Sequence, residues 1–146
     1  MPRTFRQGPA RNVGNAAMTA LIRNGLAPPG MHLLTTIGAR TGAERTNPVQ
    51  LIKHDGRRWL VAPYGEVSWV HNARTNPRVT ISRRGRVEPC DVRAATPEEA
   101  APVLKKYLVR APVVLPYFEA RPTSPLEAFA AEAARHPVFE LSPLRE

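Results

Sequence analysis

Asp55 and Gly56 lie between two extended runs, and this dipeptide restricts the fold more than any other feature of the chain. A two-residue Asp-Gly link favours a type I′ turn, whose twist matches that of antiparallel neighbours. Residues 45–54 and 57–62 are therefore predicted to pair as a hairpin. Val49, Leu51 and Lys53 fall on one face of the first strand, and Trp59 and Val61 on one face of the second. Arg84-Gly85 marks another hairpin, joining residues 79–82 to 87–94. Residues 33–37 form a short apolar run with β-branched members, and residues 38–42 turn it back towards Arg45. About five strands with closely spaced turns predict a small antiparallel barrel with helical decoration, mainly β in an α+β class. Strict β-α-β alternation is absent, which argues against a doubly wound parallel sheet.

Helical signals flank this block. In residues 12–25, Val13, Ala17, Leu21 and Ile22 recur at helical spacing, Gly25 is a stop, and Pro28, Pro29 and Gly30 break the chain. Ser68 is expected to cap a short helix reaching Arg74, with Trp69, Val70 and Ala73 packing inward and Asn76-Pro77 ending it. Thr96-Pro97-Glu98-Glu99 is a capping box with proline at the first helical position. That helix should run towards Leu108, with Pro102 kinking or interrupting it. A proline-punctuated stretch covers 112–125, an alanine-rich helix 126–135, and a final strand 138–141. The expected organisation is one domain over 1–146: a flexible basic arm (1–11), an N-terminal helix (12–25), a barrel core with the site (31–95) and a helical C-terminal part (96–146).

Charge narrows the function. Residues 1–90 carry fourteen basic and four acidic side chains, residues 91–146 seven and eight, so the positive field belongs to the first part. Such a field attracts anions. Composition argues against nucleic acid as a partner, because aromatics are 6% and are not interleaved with the arginines as a stacking platform requires. No Gly-x-Ser-x-Gly elbow, phosphate-loop lysine motif or metal-ligand spacing is present, and His32, His54, His71 and His136 are expected at the surface. Cys90, the single cysteine, is expected to be a half-buried strand thiol. If the chain is an enzyme, a bound cofactor supplies the chemistry. No run approaches the length of a membrane span, and the first ten residues lack an apolar targeting core, so a cytoplasmic location is expected.

Two segments stand out. In Thr35-Thr36-Ile37-Gly38-Ala39-Arg40-Thr41-Gly42-Ala43-Glu44-Arg45-Thr46-Asn47-Pro48, two glycines bracket an arginine and a threonine. Such a turn can aim consecutive backbone N–H groups, a hydroxyl and a guanidinium at one phosphate, and Arg45 can reach the same anion. The alternative is a plain β-turn with solvated arginines. In residues 62–77 a glycine-containing loop runs into a helix start, where N–H groups favour an anion or a polar ring edge. Trp69 either stacks on a planar ligand or packs in the core, and Asn72 is either a ligand contact or exposed.

Together these segments resemble the deazaflavin-dependent nitroreductases. The pattern is a Leu-Thr-Thr strand, Gly-x-(Lys/Arg)-Thr-Gly, Arg-x-Asn-Pro, then a Trp-x-x-Asn helix ending in Asn-Pro, over about residues 31–95. The resemblance implies an FMN-binding-like split β-barrel that binds coenzyme F-420 (8-hydroxy-5-deazaflavin), with FMN less favoured. By match, Arg40, Thr41, Gly42 and Arg45 would hold the phosphate and acidic tail. Asn47, Pro48, Ala62, Trp69 and Asn72 would lie near the ring. The implied reaction is hydride transfer to a quinone, enone or nitro acceptor, with Tyr64, Ser68 and Tyr117 lining the acceptor side.

Ala39 stands where many relatives carry a basic residue, and Glu66 adds an acid to the loop before the helix. The alternative is a non-redox fatty-acid- or lipid-binding member, with a cavity roofed by Leu115, Phe118, Leu126 and Phe129. The expected partners are the cofactor and a hydrophobic acceptor. The chain would be a monomer or homodimer. Its basic arm and amphipathic helix would either touch an anionic membrane or cover the barrel.

Overall fold

The computed structural model describes residues 18–22 and 30–144. Six strands form a closed antiparallel barrel: β1 (Met31–Ile37), β2 (Glu44–His54), β3 (Arg57–Val61), β4 (Arg78–Arg83), β5 (Arg86–Ala94) and β6 (Val138–Pro143), in the order β1-β2-β3-β6-β5-β4. Helix α1 (Ser68–Thr75) links β3 to β4. Helix α2 (Pro97–Arg110), a 3-10 helix (Pro112–Tyr117), α3 (Leu126–Glu132) and a short 3-10 turn (Ala133–Arg135) fill the path from β5 to β6. The two expected hairpins form with the expected turns. Asp55 and Gly56 take φ of 55° and 73°, Arg84 and Gly85 of 54° and 78°, the doubly left-handed pattern of a type I′ link.

Two apolar cores explain where simple alternation holds and where it fails. Leu34, Val49, Leu51, Leu60, Val79, Ile81, Cys90 and Val92 point into the barrel, closed at one end by Trp69 and Val70 of α1. On the outside of β2, β3 and β6, Ile52, Trp59, Val61 and Val138 pack under Val103, Leu104 and Leu108 of α2 and Phe129 of α3. Strand β3 is thus covered on both faces, and Trp59, Leu60 and Val61 are all buried. The second helix layer also displaces an expectation. Lys53 is exposed, and Ile52, which alternation alone would turn to solvent, is fully buried beneath α2.

Other expectations shift in detail. The strand expected near 138–141 extends to Pro143, and it is this strand that closes the barrel, so residues 96–146 are not a purely helical part. Ser68 is the first residue of α1 and not its cap; Val67 holds the cap position and makes no side-chain cap bond. Thr96 and Glu99 form the reciprocal capping box. Helix α2 continues through Pro102 to Arg110. Only the N–H that would have bonded the carbonyl of solvent-exposed Glu98 is lost there. Cys90 is fully buried, and so is His136. Of the expected N-terminal helix, residues 18–22 are helical, with Ile22 packed on Leu33. The rest of 12–25 and the arm 1–11 lie outside the described residues.

Candidate functional site

The β1–β2 turn and α1 meet at one end of the barrel, and asparagines hold them together. Asn72, buried on α1, accepts a hydrogen bond from the Ala39 N–H (2.9 Å) and donates to the buried Thr36 Oγ1 (3.1 Å). Asn76 donates to the Ile37 carbonyl (3.5 Å). Within the turn, the Gly38 N–H donates to Ala43 O (2.7 Å), the Gly42 N–H to Gly38 O (3.0 Å) and the Ala43 N–H to Thr41 Oγ1 (3.2 Å). Gly38 sits in a close approach: a Cβ there would lie 3.0 Å from Ala43 O, so a larger residue would press the turn by a few tenths of an ångström. Four of the turn's N–H groups are thereby spent internally, and those of Arg40 and Thr41 stand outside these bonds. The groups this turn could offer an anion are therefore two N–H groups, the Thr41 hydroxyl proton and the guanidinium groups of Arg40 and Arg45. The run of consecutive amides available to an anion is thus two long, Arg40 and Thr41. Both arginines are exposed, and no described carboxylate forms a salt bridge with either.

This turn forms one end of a cleft of about 1440 Å³. Arg40, Thr41, Arg45, Asn47, Pro48, Ala62, Tyr64, Ser68, Trp69 and Asn72 all line it. Strands β1 to β3 and α1, distant in sequence, bring these residues together. Gly42 and Tyr117 do not line the cleft. Gly42 takes φ of 73° at the back of the turn, and Tyr117 packs edge-on against Tyr64 with ring centroids 4.9 Å apart. Trp69 is largely core, 6% exposed and tilted against Phe139 at 5.8 Å. Asn72 is a strut for the turn more than a free contact.

The cleft is mixed in character. Its lining combines basic side chains, Arg40, Arg45, His71 and Arg74, with apolar and aromatic ones, Val61, Tyr107, Val113 and Val114. Glu66 is turned to Arg74, which grips it at 2.9 Å and 3.4 Å, so the acid is neutralised beside the cleft. The residues that sequence reasoning missed are Thr36, the anchor for Asn72, and the apolar wall from α2 and the 3-10 helix. Thr36 carried a signal: it shares the inner face of β1 with Leu34, and a hydroxyl there needs a partner. The supposed lipid roof is different in kind. Phe118 and Phe129 are packed into the outer core and Leu126 is 47% exposed, and none lines the cleft.

Among the described residues, no group of His, Cys, Asp and Glu could hold a metal, and no helix is long and apolar enough to cross a membrane.

The closed six-stranded barrel with its helices places the chain in a fold class, the FMN-binding-like split barrels. Residues 10–118 match the F-420H(2)-dependent quinone reductase family, and the chain belongs to that family. It is accordingly an enzyme, an F-420-dependent reductase, with coenzyme F-420 as cofactor. Solved structures agree in fold. An F-420-H2 dependent reductase is 24% identical with a TM-score of 0.55, covering 78% of this chain and 95% of its own. A structure described as a domain-swapped dimer is 20% identical with a TM-score of 0.57, covering 92% and 100%. A putative pyridoxamine 5'-phosphate oxidase from Listeria innocua is 12% identical with a TM-score of 0.51, covering 89% and 93%.

The donor set fits the cofactor. Two guanidinium groups, a hydroxyl and two free N–H groups suit a phosphate with an acidic tail, and the adjoining apolar stretch suits a planar ring.

Proposed function

We propose that this chain reduces quinones, with enones and nitro compounds as related electron-poor acceptors, in the cleft between the β1–β2 turn and α2. The observation that carries this is the mixed lining of one cleft: Arg40 and Arg45 favour a polyanion, and Val61, Tyr107, Val113 and Val114 favour a flat apolar acceptor. In this assignment Arg40, Arg45 and Thr41 hold the phosphate. Asn47, Pro48, Ala62 and the exposed edge of Trp69 flank the ring, and Asn72 and Thr36 keep the turn in shape.

When bound, the reduced cofactor supplies a hydride; the acceptor takes that hydride and one proton, so a quinone leaves as a hydroquinone. The chain's task is to hold two planar partners in register and to exclude water from between them. Tyr64 and Ser68 are among the residues that line the cleft, and in this reading one of their hydroxyl groups donates to the developing phenolate oxygen. Tyr117 acts behind Tyr64 through the edge-on ring contact.

The test is fluorescence titration of oxidised coenzyme F-420 into wild type, Arg40→Ala and Arg45→Ala. Removing either guanidinium should weaken binding by about 1.5–3 kcal/mol. Unchanged affinity in both variants would remove the assigned phosphate site. With the site in place, turnover of a benzoquinone should fall in Tyr64→Phe while cofactor affinity holds.

A further inference from the structure

At the end of the barrel away from the β1–β2 turn, the inner face changes character. Two residues along each strand, Leu34 gives way to His32, Leu60 to Arg58, Ile81 to Arg83 and Cys90 to Glu88. The two-residue period keeps each of these on the inward side. With Ser82, Arg84 and Arg86 they line a recess of about 420 Å³ that shares no residue with the cofactor cleft.

The recess is built from four arginines, one histidine and a single acid. That acid is already committed. Arg58 grips Glu88 through two hydrogen bonds of 2.9 Å and 2.8 Å, and the Cys90 thiol donates to it at 3.4 Å. The Arg58 hydrogen bonds hold the Glu88 carboxyl below its ordinary range and raise the Arg58 guanidinium. The lining therefore carries a net positive charge. Its geometry concentrates that charge further. Arg83 and Arg86 sit directly opposite each other across the β4–β5 hairpin, where like charges repel. Arg83 donates to the Met31 carbonyl at 2.6 Å. Arg84 occupies the left-handed region at φ 54°, a place where the β2–β3 hairpin uses Asp55 and where a long side chain is strained.

We propose that this recess is a second anion site, which takes a phosphate-class oxyanion among Arg83, Arg84 and Arg86. Guanidinium forks match the oxygens of a phosphate, and the bound anion relieves the repulsion between the opposed pair. A soluble phosphate ester and the headgroup of an anionic lipid present this same chemistry.

The test uses the full chain at low ionic strength, with Arg40→Ala/Arg45→Ala as the reference so that the cofactor cleft does not contribute. Inorganic pyrophosphate titrated by calorimetry should bind saturably at one site in this reference. Adding Arg84→Ala and Arg86→Ala should weaken it by about tenfold or more. Amide resonances of residues 82–88 should shift during the same titration, a readout that needs no variant. Sedimentation with phosphatidylcholine vesicles, with and without phosphatidylglycerol, then separates the sources. Pelleting that needs phosphatidylglycerol and disappears without Arg84 and Arg86 supports the lipid headgroup; pyrophosphate binding without pelleting supports the soluble ester. The absence of saturable binding in the reference, or equal binding without Arg84 and Arg86, overturns the proposal. Neither result bears on whether coenzyme F-420 binds at the other end.

Discussion

Asn72 satisfies both ends of its amide inside the protein and ties α1 to the β1–β2 turn. Asn72→Ala leaves the buried Thr36 hydroxyl and the Ala39 N–H without partners. A thermal melt should show a loss of about 1–3 kcal/mol, with weaker coenzyme F-420 binding in the same variant; an unchanged melt would show that the strut carries no stability. The sequence marked Asn72 as unexplained on its helix but offered no partner, because Thr36 lies 36 positions away and becomes adjacent only when α1 caps the barrel. Cys90 shows the opposite case. Its strand position was legible and its full burial was not, since β6 covers it from a distant part of the chain. Burial, with the Glu88 carboxylate beside it, pushes the thiol up to about 11 from an ordinary 9.0. The thiol is neutral when folded, so its contribution to stability is complete below pH 9.0 and is lost as pH rises towards about 11. Alkylation by iodoacetamide at pH 8 should be slow in native protein and fast in denaturant. Fast native labelling would contradict the burial.

At the scale of elements, the local signals were the most readable. The Thr96–Glu99 capping box and the two type I′ hairpins involve residues within a few positions of one another, so chain connectivity alone brings them together. Thr96→Ala should cost about 1 kcal/mol in a denaturant titration, because the Glu99 N–H loses its acceptor. Glu99 also joins the start of α2 to the barrel. Arg93 on β5 forks onto it at 3.0 Å and 2.9 Å and onto Glu140 of β6 at 3.2 Å and 2.6 Å. The Arg93 hydrogen bonds, followed by the Thr96 N–H, push the Glu99 carboxyl down to about 2 from an ordinary 4.5. A depressed carboxyl stabilises the fold above pH 4.5, and that contribution disappears as pH falls towards about 2. Arg93→Ala should therefore move the acid-unfolding midpoint to higher pH, as followed by circular dichroism. The helix–barrel interface was less legible. Lys53 and Ile52 exchange their expected environments because a second apolar layer sits outside β2, and alternation within one strand carries no information about what covers its outer face.

For the whole molecule, closure is the property that no local pattern contains. Strand β6 fills the gap between β3 and β5, although 43 residues, 95–137, separate it from β5. The same path carries a buried latch. Glu132 accepts from the N–H groups of Glu119 (3.1 Å) and Ala120 (2.7 Å) and meets His136 Nε2 at 2.8 Å. The other ring nitrogen of His136 reaches the Pro63 carbonyl at 2.8 Å, and Phe118 stacks on the ring. The loop beside the cofactor cleft is in this way tied to the approach to β6. The family match ends at residue 118, before either the latch or the closing strand is complete. A chain truncated after Phe118 should lose its cooperative melt and bind a hydrophobic dye; a sharp transition in that fragment would show that five strands suffice. The order of the elements also sets a timetable for synthesis. At translation rates of roughly 5–20 residues per second, the facing edges of β3 and β5 wait roughly 2–9 s for the strand that belongs between them. During that interval both edges present unpaired backbone N–H and C=O groups, so the newly made barrel passes through its stage most open to non-native strand pairing before it can close.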